Sequence, residues 1–303
     1  MRLFGWFRHP AQQEKTAAPA PRRWGWIGGR RVLGESLYVM PKDKAEGDRL
    51  DLQHHLLKVA LGRNYYPRLR SPRAILDVAC GTGIWGREMA SEFKRAQVIG
   101  FDIDRTPMEA SLARSGAGGQ FPPNFTFQQA NALERFPFAD QSFDFTHARF
   151  LGAFVPIARW PELVTEMARV TSRGSYVECV ELETVESPSP ALTLLKKAGK
   201  QLMDGRGLHQ YPGASLGGYL RQAGLSQIQE RRVVLGVGRQ GNRQQRLLAT
   251  DMISIFTNLQ PIMVKVGLFS EAEYHGLLAQ LREELPRLGL TMPVIFAFGL
   301  RLE

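Results

Sequence analysis

The residues best suited to chemistry lie between Ala74 and Gly86, where AILDVACGTGIWG runs from an apolar segment through Asp77 into a glycine turn that opens a helix. Gly81 and Gly83 let the backbone pass close beneath a ligand and reach φ values that a side chain would forbid. The next apolar run, QVIGFD, ends in Asp102, about 20 residues past the turn, where a carboxylate can accept hydrogen bonds from both hydroxyls of a ribose. A strand, a glycine turn, a helix start and a second acid together make the layout of a nucleoside-cofactor site.

Gly81, Gly83 and Gly86 also satisfy G-x-G-x-x-G, so a nicotinamide or flavin dinucleotide competes for the same turn. Asp77 discriminates between them. A pyrophosphate on these amides would be repelled by an unpaired carboxylate at the strand end. S-adenosylmethionine carries an ammonium and a sulfonium and no phosphate, so an acid there attracts it. Asp102 fits either cofactor, and the charge pattern therefore favours adenosylmethionine and methyl transfer.

Methyl transfer from a sulfonium is an in-line displacement with a good leaving group, and the protein must chiefly align the reactants and exclude water. A carboxylate acceptor needs no base. For a hydroxyl acceptor the expected proton acceptors are His147, inside a strand, and His209, in a glycine-rich loop beside Tyr211. Phe150, Phe154, Met252, Ile255, Phe256 and Met263 suggest an apolar acceptor pocket, although a packing core would read the same way. Alternatives stand beside these roles: His54 or His55 as a satisfied core histidine, Arg149 as an ion-pair partner of Asp144 or Glu178, and Trp85 as the residue that packs its helix on the sheet. HHLLK lacks a further ligand at metal-binding spacing, so no metal is expected.

The elements that must position these residues alternate. After an amphipathic helix over Pro41–Leu61 come ILDVAC, a helix over Trp85–Phe93, QVIGFD, a helix opened by Thr106, then FTFQQANA, FDFTHARF, a helix from Trp160 and SYVECVEL. That rhythm predicts a doubly wound, mostly parallel α/β sheet with ligands at the carboxyl ends of its strands. Helices around Leu247–Leu259 and Glu271–Leu285, separated by Pro261 and Gly267, interrupt before a last strand, PVIFAFGLRLE, expected to pair antiparallel at an edge. The resulting division is a flexible basic arm over 1–33, a helical cap over 34–72, an α/β core over 73–238, a helical lid over 239–290 and a final strand over 291–303.

With 303 residues and 44% hydrophobic content the chain can bury one large core. Cys80 and Cys179 fall in apparent core strands without a disulfide framework, which suits a reducing compartment. No segment reads as the roughly 20 apolar residues that span a bilayer, and MRLFGWFRHP lacks the features of a signal peptide. A cytoplasmic location is expected. Of the net charge of +10, a large share sits in residues 1–31, which carry seven Arg or Lys against Glu14 alone, with Trp6, Phe7, Trp24 and Trp26 interleaved. The arm reads as a solubilising extension or as a weak contact for an anionic membrane surface or an acidic partner. The remainder is only mildly basic, so no nucleic-acid partner is expected.

Over residues 36–303 the chain resembles class I S-adenosylmethionine-dependent methyltransferases. ILDVACGTGIWG is similar to their glycine motif, VIGFDID to their ribose-binding strand end and NALERFPFADQSFDF to their adenine-binding turn and fourth strand. GDRLDLQHH, FPPN and FDFTHARFLGAF narrow the resemblance to the LaeA-like group, best known in fungal secondary metabolism. The resemblance implies a seven-stranded Rossmann-like sheet, S-adenosyl-L-methionine as cofactor and a small-molecule acceptor, with O-methylation of a specialised metabolite first and C- or N-methylation next. A non-catalytic adenosylmethionine-binding regulator is the alternative. It also implies roles: Gly81 and Gly83 under the methionine moiety with Asp77 near its ammonium, Asp102 on the ribose, Ile103 on the adenine face, Asn131 and Ala132 at the adenine edge. Arg149 and Phe150 would line the space near the methyl group, Arg49, Gln53 and His54 would meet the cofactor's carboxylate, and Tyr38 or Tyr65 would close over it.

Overall fold

Among the described residues there are nine strands: β1 (Trp24–Ile27), β2 (Arg30–Leu33), β3 (Ala74–Val78), β4 (Gln97–Asp102), β5 (Phe125–Gln129), β6 (Phe143–Arg149), β7 (Thr171–Leu182), β8 (Ser226–Val237) and β9 (Leu290–Arg301). Between them run α1 (Lys44–Leu61), α2 (Ile84–Glu92), α3 (Thr106–Arg114), α4 (Trp160–Val170), α5 (Pro190–Asp204), α6 (Leu216–Gln222), α7 (Arg243–Lys265) and α8 (Glu271–Leu288). The computed structural model describes residues 24–27, 30–33, 40, 43–114, 121–186, 188–238 and 242–302.

The main sheet has seven strands in the order β5-β4-β3-β6-β7-β9-β8, parallel except for β9, which runs antiparallel to both neighbours. The last strand was expected at an edge; it instead slots between β7 and β8 and leaves β8 outermost. β9 reads PVIFAFGL because neighbours on both sides bury it, as a central strand requires. Within the span expected to be a flexible arm, β1 and β2 pair as an antiparallel hairpin, with β1 beside α7.

Two helical layers and a projecting end frame the sheet. Trp85, Met89 and Met108 pack with Ile75, Phe125 and Phe145 on one face. Leu163, Met167, Leu216 and Leu220 pack with Leu76, Val78 and Phe101 on the other. At Leu182 the parallel strand β7 stops, paired to Val294, yet β9 and β8 continue to the pair Leu290–Val237. This two-stranded extension projects past the carboxyl end of β7, and α7 and α8 pack against it through Leu248, Phe256, Tyr274 and Leu281.

α1 begins at Asp43, whose side chain accepts the Glu46 amide, and stops at Gly62, which is left-handed at φ 66. α7 runs through Pro261, where a break was expected, and ends before Gly267 at φ 74. Its apolar faces are packed over enough length to hold the helix across one missing amide. By length and composition alone α7 could cross a membrane, contrary to the expectation that no segment could; here it lies against α1, α8 and β8. Cys179 is buried in β7, whereas Cys80 falls just past the end of β3 and is half-buried.

Candidate functional site

From β3 the chain builds outward through β4 and β5, then returns to β6 on the opposite side of β3. The direction of winding reverses between β3 and β6, and a crevice forms outside the carboxyl ends of strands at such a point. Asp77 and the glycine turn stand at one lip, Arg149 and Phe150 at the other. Ala79 and Phe150, each just past its strand end, take left-handed φ values of 52 and 58. Held strain of about 1–3 kcal/mol per residue is the usual cost for a non-glycine residue in this region, and it clusters at functional turns.

A Cβ added at Gly81 would meet nothing closer than Leu50 Cδ1 of α1, 4.0 Å away, so the turn's backbone borders open space. The Gly81 amide donates to Asp102 Oδ2 at 3.0 Å, and Asp102 Oδ1 accepts the Asp104 amide at 3.0 Å. Those bonds fix the second acid across from the turn. Gly86 serves packing instead: a Cβ there would lie 2.6 Å from the Phe125 ring, so its absence lets α2 settle against β5.

Asp77 is buried, and its Oδ2 has no hydrogen-bond partner among the described residues. Burial raises its pKa to about 7, against the pull of the Arg149 charge and the Gly86 amide, and Asp102 pushes it further up. A buried carboxylate oxygen without a partner beside an open glycine turn fits a cationic ammonium. A pyrophosphate placed there would face two carboxylates. The residues present therefore fit the amino-acid end and ribose of adenosylmethionine.

The register carries the charge inward. Asp77, His147 and Glu178 sit side by side on β3, β6 and β7. His147 is 1% exposed and stacks on Trp85 with ring centres 3.9 Å apart, its Nδ1 3.3 Å from Glu178 Oε2. Burial holds its pKa well below the usual value. This places the expected base beneath the crevice, sealed by Trp85, as a core histidine. His209 also departs from its expected role. Its Nδ1 accepts the Tyr211 amide at 3.0 Å, so the proton of the neutral ring is assigned to Nε2, which then donates and cannot accept.

Arg149 is half-buried, with Nη2 3.1 Å from His54 Nδ1 and its guanidinium 5.6 Å from the centre of the Phe150 ring. His54, expected at the cofactor's carboxylate, is fully buried, and its Nε2 lies 3.0 Å from Glu88 Oε2. Burial lowers the His54 pKa to about 4, and Glu88 falls to about 2 because the close His54 ring and the hydrogen bonds from Lys58 and Asn64 outweigh its burial. His54, His55 and Glu88 present three ligating atoms within 4.8 Å. That donor set is already answered by Arg149 on His54 and by Lys58 Nζ, 2.8 Å from Glu88.

Two more expectations are corrected by their partners. Arg49 is held by Glu46 at 2.7 Å and by Asp251 of α7 at 3.0 Å, and Gln53 donates to the same Asp251 at 3.2 Å. Both side chains brace the insertion instead of reaching for a ligand. Tyr65 donates to Glu92 at 2.7 Å, at the end of α2 away from the glycine turn, and Tyr38 lies outside the described residues. Asn131 Nδ2 donates to Glu134 and its Oδ1 accepts the Leu133 amide at 3.0 Å, which leaves the second lone pair of that oxygen for an adenine edge. Ile103 follows Asp102 half-exposed, and Ala132 packs into the core.

Sequence reasoning missed Glu88 and Glu181 as site-builders and saw Glu178 only as a candidate partner of Arg149, on which its charge does act. Glu181 accepts the amides of Leu151 and Gly152 and so shapes the loop after β6; burial raises its pKa to about 8. The signal was present as two acids in an otherwise apolar strand, YVECVEL.

Residues 75–174 match a family model described as a methyltransferase domain. The chain is similar to methyltransferase str3 of Strobilurus tenacellus, 35% identical over 120 residues that make up 39% of this chain and 40% of that protein. It is similar also to the secondary metabolism regulator LAE1 of Cochliobolus heterostrophus, 31% identical over 167 residues, 52% of this chain and 49% of that protein. The match thus spans less than half the length of these curated relatives. Among solved structures, the phosphoethanolamine N-methyltransferase 2 of Haemonchus contortus in complex with S-adenosyl-L-methionine superposes with a TM-score of 0.50 at 18% identity, over 84% of this chain and 52% of that one. That likeness is one of fold.

Proposed function

Since the chain belongs to the class I S-adenosylmethionine-dependent methyltransferases and is LaeA-like in sequence, we propose that it transfers the cofactor's methyl group to a small molecule, by O-methylation of a specialised metabolite. The carrying observation is the partnerless Oδ2 of buried Asp77 beside the open Gly81 turn, with Asp102 fixed opposite. Bound there, adenosylmethionine supplies an electrophilic methyl on a good leaving group. Asp77 orients the amino-acid end, Asp102 the ribose, and the Asn131–Ala132 turn the base.

The chain's own residues then align the acceptor and exclude water. His147 is sealed and His209 is set as a donor, so the arrangement favours an acceptor that arrives ionised, such as a carboxylate or an acidic phenol. Phe150 and the half-buried Ile255 and Met252 of α7 supply apolar wall. A weak contact of the basic arm with an anionic surface or acidic partner, and a cytoplasmic location, complete this reading.

Methyl-labelled adenosylmethionine incubated with aromatic carboxylic acids and phenols tests it, with base-stable ethers separated from base-labile esters among the products. Label in an ester or ether supports the proposal. Cofactor binding with no label in any product across pH 6–9 favours the second reading, a non-catalytic regulator, which the name of the LAE1 relative brings into view.

A further inference from the structure

We propose that His54 and Glu88 are positioning residues: through the series Glu88–His54–Arg149, buried at its centre and half-buried at both ends, they fix the guanidinium whose charge acts on Asp77, and so set the aim and charge of the carboxylate that takes the cofactor's ammonium. The inference rests on the adenosylmethionine reading of the site and adds two residues that touch no ligand.

A guanidinium can only donate, so the His54 Nδ1 that lies 3.1 Å from Arg149 Nη2 carries the lone pair. The ring's proton is then on Nε2, 3.0 Å from Glu88 Oε2. Glu88 is held in turn by Lys58 Nζ at 2.8 Å and Asn64 Nδ2 at 3.0 Å, at the half-exposed end of the series. A neutral imidazole thus links a half-buried arginine on β6 to a half-buried acid on α2. Arg149 follows His147 by two residues on β6, so it shares a sheet face with Asp77 and Glu178, which flank His147 on β3 and β7, and the charges of Asp77, Glu88 and Glu178 all act on it. Glu178 Oε1 already accepts the Tyr66 amide at 2.9 Å, whereas Asp77 Oδ2 has no such bond. Without His54, nothing described would hold the guanidinium toward Asp77 instead of Glu178.

The charged and titratable groups around the series are few. Asp77 faces Arg149 and Asp102; Arg149 faces Asp77, Glu88, Glu178 and His147; His54 faces Arg149, Glu88 and His55; Glu88 faces His54 and Lys58. Of the opposite charges acting on Asp77, Arg149 is the one that favours its ionised form. A displaced Arg149 therefore leaves Asp77 protonated to higher pH, where an ammonium cannot pair with it.

The test follows the Asp77 carboxyl by carbon-13 NMR in the ligand-free full chain, alongside the affinity for S-adenosylhomocysteine from pH 6 to pH 9. His54→Phe removes the acceptor for Arg149, His54→Gln restores a carbonyl acceptor, and Tyr65→Phe cuts a different tie to α2 as a structural control. The expected result for His54→Phe is an Asp77 midpoint raised by about one pH unit, with affinity about tenfold weaker at pH 6 and within about twofold at pH 9. His54→Gln should recover most of the shift and Tyr65→Phe should show none. A wild-type midpoint in His54→Phe, or an equal affinity loss at both pH values, overturns the proposal. Should His54→Phe fail to fold, Glu88→Gln decides, with a smaller upward shift expected and an unchanged midpoint overturning. If the wild type binds no S-adenosylhomocysteine while the NMR midpoint still moves, the cofactor reading fails and the positioning series stands.

Discussion

The Arg49 guanidinium and the Asp251 carboxylate meet 3.0 Å apart, both almost closed to solvent, and join α1 to α7 across 202 residues of chain. Leu50, the next residue, lies over Gly81. Asn258 of α7 adds a bond of 2.7 Å to Glu46, which also pairs with Arg49. One polar cluster therefore joins the insertion to α1, the helix that passes over the glycine turn.

Asp251→Ala should lower stability by about 2–3 kcal/mol, because it leaves a buried guanidinium with one acid fewer and Gln53 without its acceptor. Asp251→Asn, which keeps the acceptor oxygen, should cost about half of that. Urea unfolding measures both. An unchanged midpoint in Asp251→Ala would show that the clamp contributes nothing.

Adjacent residues on α7 should behave in opposite ways. Phe256 is 6% exposed in the core between α7 and α8, where the Tyr274 hydroxyl donates to its carbonyl at 2.7 Å. Phe256→Ala should then destabilise by about 3–5 kcal/mol, the range for a buried aromatic. Ile255 shares the α1-facing side of α7 with Asp251 and Asn258 and is half-buried. Ile255→Ala should change acceptor affinity several-fold while adenosylmethionine affinity stays within about twofold, since the sites share no partner. Equal effects on both ligands would remove Ile255 from the acceptor wall.

Three buried carboxyls give the ligand-free protein an uncommon pH response. Burial raises Asp77 to about 7 and Glu178 and Glu181 to about 8. The native state keeps these protons while the unfolded chain has lost them above its ordinary values of about 4, so their contribution is full below that point and is lost as pH rises through 7 to 8. His54 and His147, both lowered, act in the opposite sense, but only up to the unfolded histidine value of about 6.5. The melting temperature should therefore fall from pH 6.5 to 8, and Glu181→Gln should flatten the slope. A flat or rising wild-type profile over that window contradicts the assignment.

The glycine turn, the strand–helix alternation and the helical insertion were legible because period, turn chemistry and charge are local signals, whereas the place of β9 between β7 and β8 was not. The series Glu88–His54–Arg149 was not: His54 and Arg149 are 95 residues apart, and only the packing of α1 on the sheet brings them together. His147 looked like a base because its burial under Trp85 depends on where α2 lands. Pro261 looked like a stop because a single missing amide is visible in sequence and the packing that outweighs it is not. Arg49 and Gln53 were placed on the correct helix, but their partner, Asp251, arrives from the insertion.

The most direct measurement is calorimetric titration of S-adenosylhomocysteine into the full chain and its Asp102→Ala variant at pH 8. Asp102 receives the Gly81 amide at the end of β4, where the proposed site puts the ribose, so the wild type should bind and the variant should lose roughly 1.5–3 kcal/mol, on the order of ten- to a hundredfold in affinity. NADH should give no heat with either protein. Binding of equal strength in both proteins, or NADH binding in place of the homocysteine, would contradict the cofactor site described for this fold.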